Sequence, residues 1–213
     1  MDLKKRAENM RAFFNSKAAE DAYDCVHLKM MNSKEPITKA LPENTQRVLD
    51  LGGGTGLELI PLFERFPNAH ITVVDVAEEM LAQLSRRSFA DHIEIICGDF
   101  FEVDFGSNYD AVISTSALHH FTEEDKTRLY HKALECLRPG GMLINSDKCV
   151  KTQAEQDYAF KELAEEPNKY RHMDTPLTPE NECKVLTNAG FENVSAKPIP
   201  ESDYCLFIGV KPE

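Results

Sequence analysis

The sequence predicts an α/β fold, a doubly wound and mainly parallel sheet that ends in an antiparallel hairpin strand. Three observations predict it. From about residue 46 to 146 short apolar runs alternate with amphipathic segments, the pattern of repeated strand-helix units. The runs are rich in Val, Ile and Leu, as strands covered on both faces by helices require. The last two runs are joined by a Pro-rich turn too short for a helical crossover, so they pair antiparallel or not at all.

Taken in chain order, Leu3, Ala7, Met10 and Phe14 follow i, i+4, i+7 and i+11, which predicts an amphipathic helix packed on the domain. The core strands are Arg47–Leu51, residues 71–75, Ile93–Cys97, residues 111–114 and, after the turn Pro139-Gly140-Gly141, residues 142–145. Leu59, Ile60, Phe63 and Phe66 mark the apolar face of one helix, stopped by Pro67, and Met80, Leu81 and Leu84 mark the next. Thr122 with Asp125 resembles a capping box opening a helix whose inner face carries Leu129, Ala133 and Cys136. Residues 153–165 read as an acidic helix, and Thr178-Pro179 opens another that Gly190 ends. The hairpin strands are residues 194–197 and Tyr204–Val210. We expect one domain over 1–213, with a helical cap at 1–40, a ligand-binding core at 45–146, an insertion at 147–177 and a C-terminal helix and hairpin at 178–213. In an open α/β fold, segments beyond the carboxyl ends of the strands cover the ligand crevice, so the cap and the insertion are the lid candidates.

Composition narrows the partners. Acidic residues outnumber basic ones by 36 to 24, for a net charge of −12, and such a field opposes phosphate backbones and anionic lipid. No nucleic-acid or membrane partner is expected. Lys4-Lys5-Arg6 is followed by no apolar core, so the chain reads as cytoplasmic without a signal peptide. Six cysteines lie far apart without a Cys-x-x-Cys pair, which argues for free thiols and against a zinc ribbon or redox dithiol. Oligomeric state leaves no signal.

The chemistry concentrates at strand ends. The first strand carries Asp50 and runs into Gly52-Gly53-Gly54-Thr55-Gly56, a strand-to-helix turn whose glycines permit positive φ and let backbone approach a ligand. A dinucleotide loop wants Gly-x-Gly-x-x-Gly, but Leu57 occupies the place of its third glycine. Asp75 ends the second strand, followed by Val76. A carboxylate there accepts both hydroxyls of a ribose; alone it equally suits a helix N-cap, and beside the glycine loop the ribose is the better reading. The third strand ends in Cys97-Gly98-Asp99-Phe100, a side-chain acceptor followed by a backbone N–H, suited to an adenine edge.

On these motifs the chain resembles the class I S-adenosylmethionine-dependent methyltransferase superfamily, over roughly residues 45–146. The resemblance implies a Rossmann-like fold and S-adenosylmethionine as cofactor, with Asp50, Gly52, Gly53, Gly54, Gly56, Asp75, Val76, Asp99 and Phe100 around it. Leu118-His119-His120-Phe121 looks like a loop of small-molecule methyltransferases related to those of ubiquinone and menaquinone biosynthesis. It implies Ser114 and Thr115 as cofactor contacts and His119 and His120 as catalytic candidates. Phe13-Phe14-Asn15 and Ala22-Tyr23-Asp24 resemble that group's helical cap, with Tyr23 closing over the cofactor.

Neighbouring side chains diverge on a strand or a helix, so one of the two histidines is expected to face the pocket. A metal site needs a third and fourth ligand, and the other histidines show no ligand spacing, so none is expected. Asp147 stands where cation-dependent O-methyltransferases place a ligand carboxylate, without an Asp-Asn partner. The expected reaction is methyl transfer to a small-molecule acceptor by in-line displacement. The competing readings are an NAD-dependent oxidoreductase and a non-catalytic S-adenosylmethionine-binding module.

Overall fold

The computed structural model describes residues 3–18, 24, 35–165 and 174–213. Its centre is one seven-stranded sheet. In chain order the strands are β1 (Arg47–Leu51), β2 (His70–Asp75), β3 (Ile93–Cys97), β4 (Tyr109–Thr115), β5 (Leu137–Lys148), β6 (Glu192–Pro198) and β7 (Tyr204–Val210). They lie in the order β3-β2-β1-β4-β5-β7-β6. The first five pair parallel, and β7 runs antiparallel to both β5 and β6. The expected hairpin is present.

The strand order reverses between β1 and β4, and a crevice opens there because the connections leaving the two strands diverge to opposite faces of the sheet. The helices are α1 (Leu3–Ala18), α2 (Glu35–Ala40), α3 (Leu59–Arg65), α4 (Glu78–Leu84), α5 (Glu123–Cys136), α6 (Gln153–Glu165) and α7 (Pro179–Asn188). Side-chain alternation along β1 splits the interior into two layers. Leu49 and Leu51 join Leu129, Ala133 and Leu186 of α5 and α7, while Val48 joins Ile37, Leu62, Phe63 and Leu84 of α2, α3 and α4. The caps predicted from sequence form: Thr122 and Thr178 each accept a backbone N–H at 3.3 Å, from Asp125 and Asn181. Gly190 follows α7 at φ +100.

The boundary of β5 differs most from expectation. β5 begins before the Pro139-Gly140-Gly141 turn, because Leu137 already pairs with Tyr109 and the turn is absorbed as a bulge before Met142 meets Ala111. Gly140 stands at φ +69 and gives its N–H to Lys211 at 3.1 Å, so the bulge stays bonded to the end of β7. The Cys149 and Cys205 sulfurs lie 3.1 Å apart at the mouth of the β5–β7 ladder, a thiol pair that sequence spacing does not reveal. No helix among the described residues is long and apolar enough to cross a membrane.

Candidate active site

A cavity of about 330 Å³ opens at the carboxyl ends of β1, β2, β3 and β4 and is roofed by α1. Its floor begins with the glycine loop. Gly52 lies at φ +83, and a Cβ there would stand 2.5 Å from the Ala117 Cβ, so only glycine lets the loop pass the β4 exit. Gly54, at φ +50, turns its backbone into the cavity. Gly53 and Thr55 also line it, whereas Gly56 backs onto Leu84 and Asp50 is buried beneath the loop.

Asp75 holds this loop in place. Its Oδ2 accepts the Gly54 N–H at 2.9 Å and its Oδ1 the Ala77 N–H at 2.8 Å, so one carboxylate bonds both to the loop and to the start of α4. Burial pushes its carboxyl above the ordinary value, against those two N–H groups and with help from the Glu58 charge. Val76 lines the wall beside it. On the third strand's exit, Asp99 accepts the Phe101 N–H at 2.8 Å, and Lys132 donates to the Phe100 carbonyl at 2.7 Å. Both Asp99 and Phe100 face the cavity.

The β4 exit separates two neighbours. Ser114 is buried and gives its hydroxyl to the Leu51 carbonyl at 2.7 Å, a bond within the sheet that keeps it out of the cavity. Thr115 lines the cavity at 5% exposure, and its Oγ1 has no hydrogen-bond partner among the described residues. The chain then turns at Ser116, a non-glycine residue at φ +57, a conformation that costs energy and concentrates at functional sites.

Residues Leu118–His120 form a turn of 3₁₀ helix, and here the expectation of a single inward histidine fails. Both imidazoles are buried, both line the cavity, and their centroids lie 4.0 Å apart. The reason is a shared acid. His119 Nε2 lies 3.7 Å and His120 Nδ1 3.2 Å from Asp174 Oδ1, while His119 Nδ1 lies 2.6 Å from Asp147 Oδ1. Lys148 Nζ holds the other Asp174 oxygen at 3.0 Å. Burial pushes the Asp174 carboxyl up, but the His120 hydrogen bond, the two imidazoles and Lys148 outweigh it and hold the group far below the usual carboxylate range. Burial acts likewise on Asp147, which His119 and Lys126 bring below its ordinary value.

Of the two lid candidates, α1 covers the cavity through Ala7, Met10, Phe13 and Phe14. Arg6 Nη1 fastens it to Asp125 at 2.5 Å. Asp24 accepts the Thr55 hydroxyl at 2.8 Å and pairs with Arg87 at 2.5 Å, tying the cap to the glycine loop; Tyr23 lies outside the described residues. From the insertion, Asp174 reaches the cavity and α6 does not. Sequence reasoning passed over Asp174, Tyr204 and Arg6, which lie 54, 84 and 114 residues from His120 and carry no local motif.

Comparison with known proteins agrees with this architecture. Residues 48–141 match the family described as the methyltransferase domain. The chain is 31% identical over 166 residues to phosphoethanolamine N-methyltransferase of Plasmodium falciparum, covering 77% of this chain and 59% of that protein. It is 25% identical to the ubiquinone/menaquinone biosynthesis C-methyltransferase UbiE of Roseobacter denitrificans, covering 80% of this chain and 76% of that protein. The chain thus spans about half to three fifths of the first relatives it matches. Among solved structures, the DhpI–SAH complex superposes with a TM-score of 0.74 at 20% identity, covering 98% of both chains. Human N-acetylserotonin methyltransferase in complex with SAM gives 0.68 at 19% identity, covering 98% of this chain and 67% of that one.

Proposed function

We propose, for a chain that belongs to the class I S-adenosylmethionine-dependent methyltransferase superfamily, that it moves the methyl group of S-adenosylmethionine to a small-molecule acceptor by in-line displacement. The observation that carries this reading is the cavity itself, which joins the glycine loop, Asp75 and Asp99 on one side to the paired histidines on the other. The donor half fits the cofactor on three counts. Backbone of Gly52–Gly54 is bared, carboxylates end β2 and follow β3, and the buried Thr115 hydroxyl faces the cavity with no hydrogen-bond partner among the described residues. Asp75 would take the ribose hydroxyls, Asp99 and the Phe100 N–H the adenine edge, and Gly52, Gly53 and Gly54 the methionine tail. Asp50, Gly56, Val76 and Ser114 would shape the strand ends from behind or beside, and Tyr23 would close the cap.

The bound cofactor supplies an already activated methyl group on a sulfonium. The protein's share is therefore alignment of the acceptor and exclusion of water. Phe13, Phe14 and Phe121 dry the acceptor side. His119 and His120 stand there, where an acceptor hydroxyl or ammonium must lose its proton. The acidic surface and scattered thiols support a cytoplasmic protein acting as one unit over 1–213, with no nucleic-acid or membrane partner.

Calorimetric titration with S-adenosylmethionine and with NAD tests the reading, followed by turnover on a panel of small hydroxyl, amine and thiol acceptors. Binding of S-adenosylmethionine with turnover is expected, and His120→Ala should lower turnover more than cofactor affinity. Tight NAD binding with no response to S-adenosylmethionine would end the proposal. Cofactor binding without turnover on any acceptor would favour a sensing module.

A further inference from the structure

We propose that His119, His120 and Asp174 bind one divalent transition-metal ion on the acceptor side of the cavity. The three residues present two imidazole nitrogens and a carboxylate oxygen, with no two of these atoms more than 4.8 Å apart. A tetrahedral ion with bonds of about 2.1 Å needs its ligands roughly 3.4 Å from one another. The separations of 3.7 and 3.2 Å to Asp174 Oδ1 bracket that spacing, and the whole set lies within 4.8 Å.

The surroundings carry the inference further than the three ligands alone. A metal-binding histidine characteristically gives its other ring nitrogen to a carboxylate, which fixes the ring and raises its basicity, and a ligating carboxylate is itself hydrogen-bonded. Both features are present. His119 turns its Nδ1 to Asp147, a residue 1% exposed, which leaves Nε2 for the ion. Lys148 donates to the second Asp174 oxygen, so Oδ1 is the oxygen turned toward the two histidines. The histidines and Asp174 border the same cavity as the donor half, so the remaining coordination positions open toward an acceptor. Two imidazoles and one carboxylate select zinc, iron, cobalt or nickel in the divalent state and disfavour magnesium, which prefers an all-oxygen shell.

What the ion does in turnover rests on the methyl-transfer reading; its binding does not. An acceptor hydroxyl or thiol on the ion would release its proton to solvent more readily. Its lone pair would then form the new bond to the methyl carbon as the carbon–sulfur bond breaks, leaving that electron pair on the donor sulfur. In this form the imidazoles hold the ion, and the ion makes the acceptor acidic.

The test is a Co²⁺ titration of the metal-stripped full chain, read by the visible ligand-field bands of the ion and in parallel by calorimetry. One Co²⁺ per chain is expected, without the near-ultraviolet band of thiolate ligation, displaced by Zn²⁺ but not by excess Mg²⁺. His120→Ala and Asp174→Ala should each weaken binding at least about tenfold, and Asp147→Asn about 10- to 100-fold. Asp174 is part-exposed, and Asp174→Asn replaces the alanine variant if circular dichroism shows loss of fold. No binding, a thiolate band, or binding undiminished in the Asp174 and His120 variants would overturn the site. Separate titration with S-adenosylmethionine keeps the two ideas apart. Co²⁺ binding without a cofactor response would sink the methyl-transfer reading alone, and a cofactor response without Co²⁺ binding would sink the metal site alone.

Discussion

Replacing Asp75 by alanine should weaken S-adenosylmethionine binding by about 1 to 3 kcal/mol, the worth of charge-assisted hydrogen bonds to a ligand, or about 5- to 150-fold in Kd. The structure gives a second route to the same loss. Asp75 anchors the glycine loop through the Gly54 N–H at 2.9 Å and starts α4 through the Ala77 N–H at 2.8 Å. Alanine removes both acceptors, and Gly54, at φ +50, loses the bond that holds its peptide in place. Part of the cost is returned, because burial already works against the charge on this carboxyl, so folding stability should fall by only about 1 to 2 kcal/mol. Asp75→Asn is the sharper variant. It keeps the shape but sets an amide N–H₂ against one of the two backbone N–H donors, so it should bind the cofactor no better than alanine does. Isothermal calorimetry with S-adenosylmethionine, beside urea unfolding of each variant, separates binding from folding. Affinity within twofold of the parent in both variants would remove Asp75 from the cofactor and with it the central contact of the donor half.

Two further predictions concern groups away from the cavity. Asp110 accepts the Gln46 and Arg47 N–H groups at 2.8 Å and Arg138 Nε at 2.6 Å; burial pushes its carboxyl up, but the Arg47 N–H, Arg138 and the Gln46 N–H prevail and leave it below its ordinary 3.8. A depressed carboxyl contributes stability that is complete above the unfolded value and lost as pH falls through the folded one. Asp110→Asn should therefore be less stable than the parent by about 1 to 3 kcal/mol near neutral pH, with the gap closing below pH 3.8; a gap that persists in acid by urea unfolding would refute the assignment. The Cys149 and Cys205 thiols, 3.1 Å apart, should be the pair that diamide oxidises, since the hydrogen bond from Cys149 holds the Cys205 thiol below its usual range. Cys136, buried and pushed up to about 12, should stay reduced. Peptide mapping that finds cross-links elsewhere, or none, would refute the pairing.

The proposed donor half was legible because its signals are local. A strand, its terminal acid and the glycine loop lie within Val48 to Gly56, and the acids at 75 and 99 end or follow strands that hydrophobic runs already mark. The strand register then carries these ends to one edge without further instruction. The acceptor half was legible only in part: His119, His120 and Asp147 stand out in the sequence, but the set is assembled from residues distant in it. His119 meets Asp147 across 28 positions and Asp174 across 55, and neither acid stands in a motif with the histidines. The divergence expected of neighbouring side chains holds for a regular strand or α-helix. It fails on a short 3₁₀ turn, where an acid from another segment gathers both rings. Ser114 shows the reverse error: a polar residue beside the site is spent inside the sheet on the Leu51 carbonyl.

How Asp174 reaches the histidines follows from its neighbour. Thr175 is fully buried, gives its N–H to the His119 carbonyl at 2.7 Å, and sets its hydroxyl on the Phe121 carbonyl at 2.9 Å and the His119 carbonyl at 3.2 Å. These bonds stitch the end of the insertion to the backbone of the histidine turn, so the carboxylate is delivered by main-chain geometry and not by its own charge alone. The turn is anchored from the other side by the Ser116 N–H on Ser146 and the Ser116 hydroxyl on Tyr204. The two halves of the cavity therefore rest on different supports. The donor half is fixed by the parallel strands β1, β2, β3 and β4, whereas the acceptor half is fixed by a segment that follows β5 and lies against β4's exit. On the proposed function, changing that segment changes the acceptor and spares the donor, which accounts for a chain whose methyl-donor site is readable from sequence and whose acceptor is not.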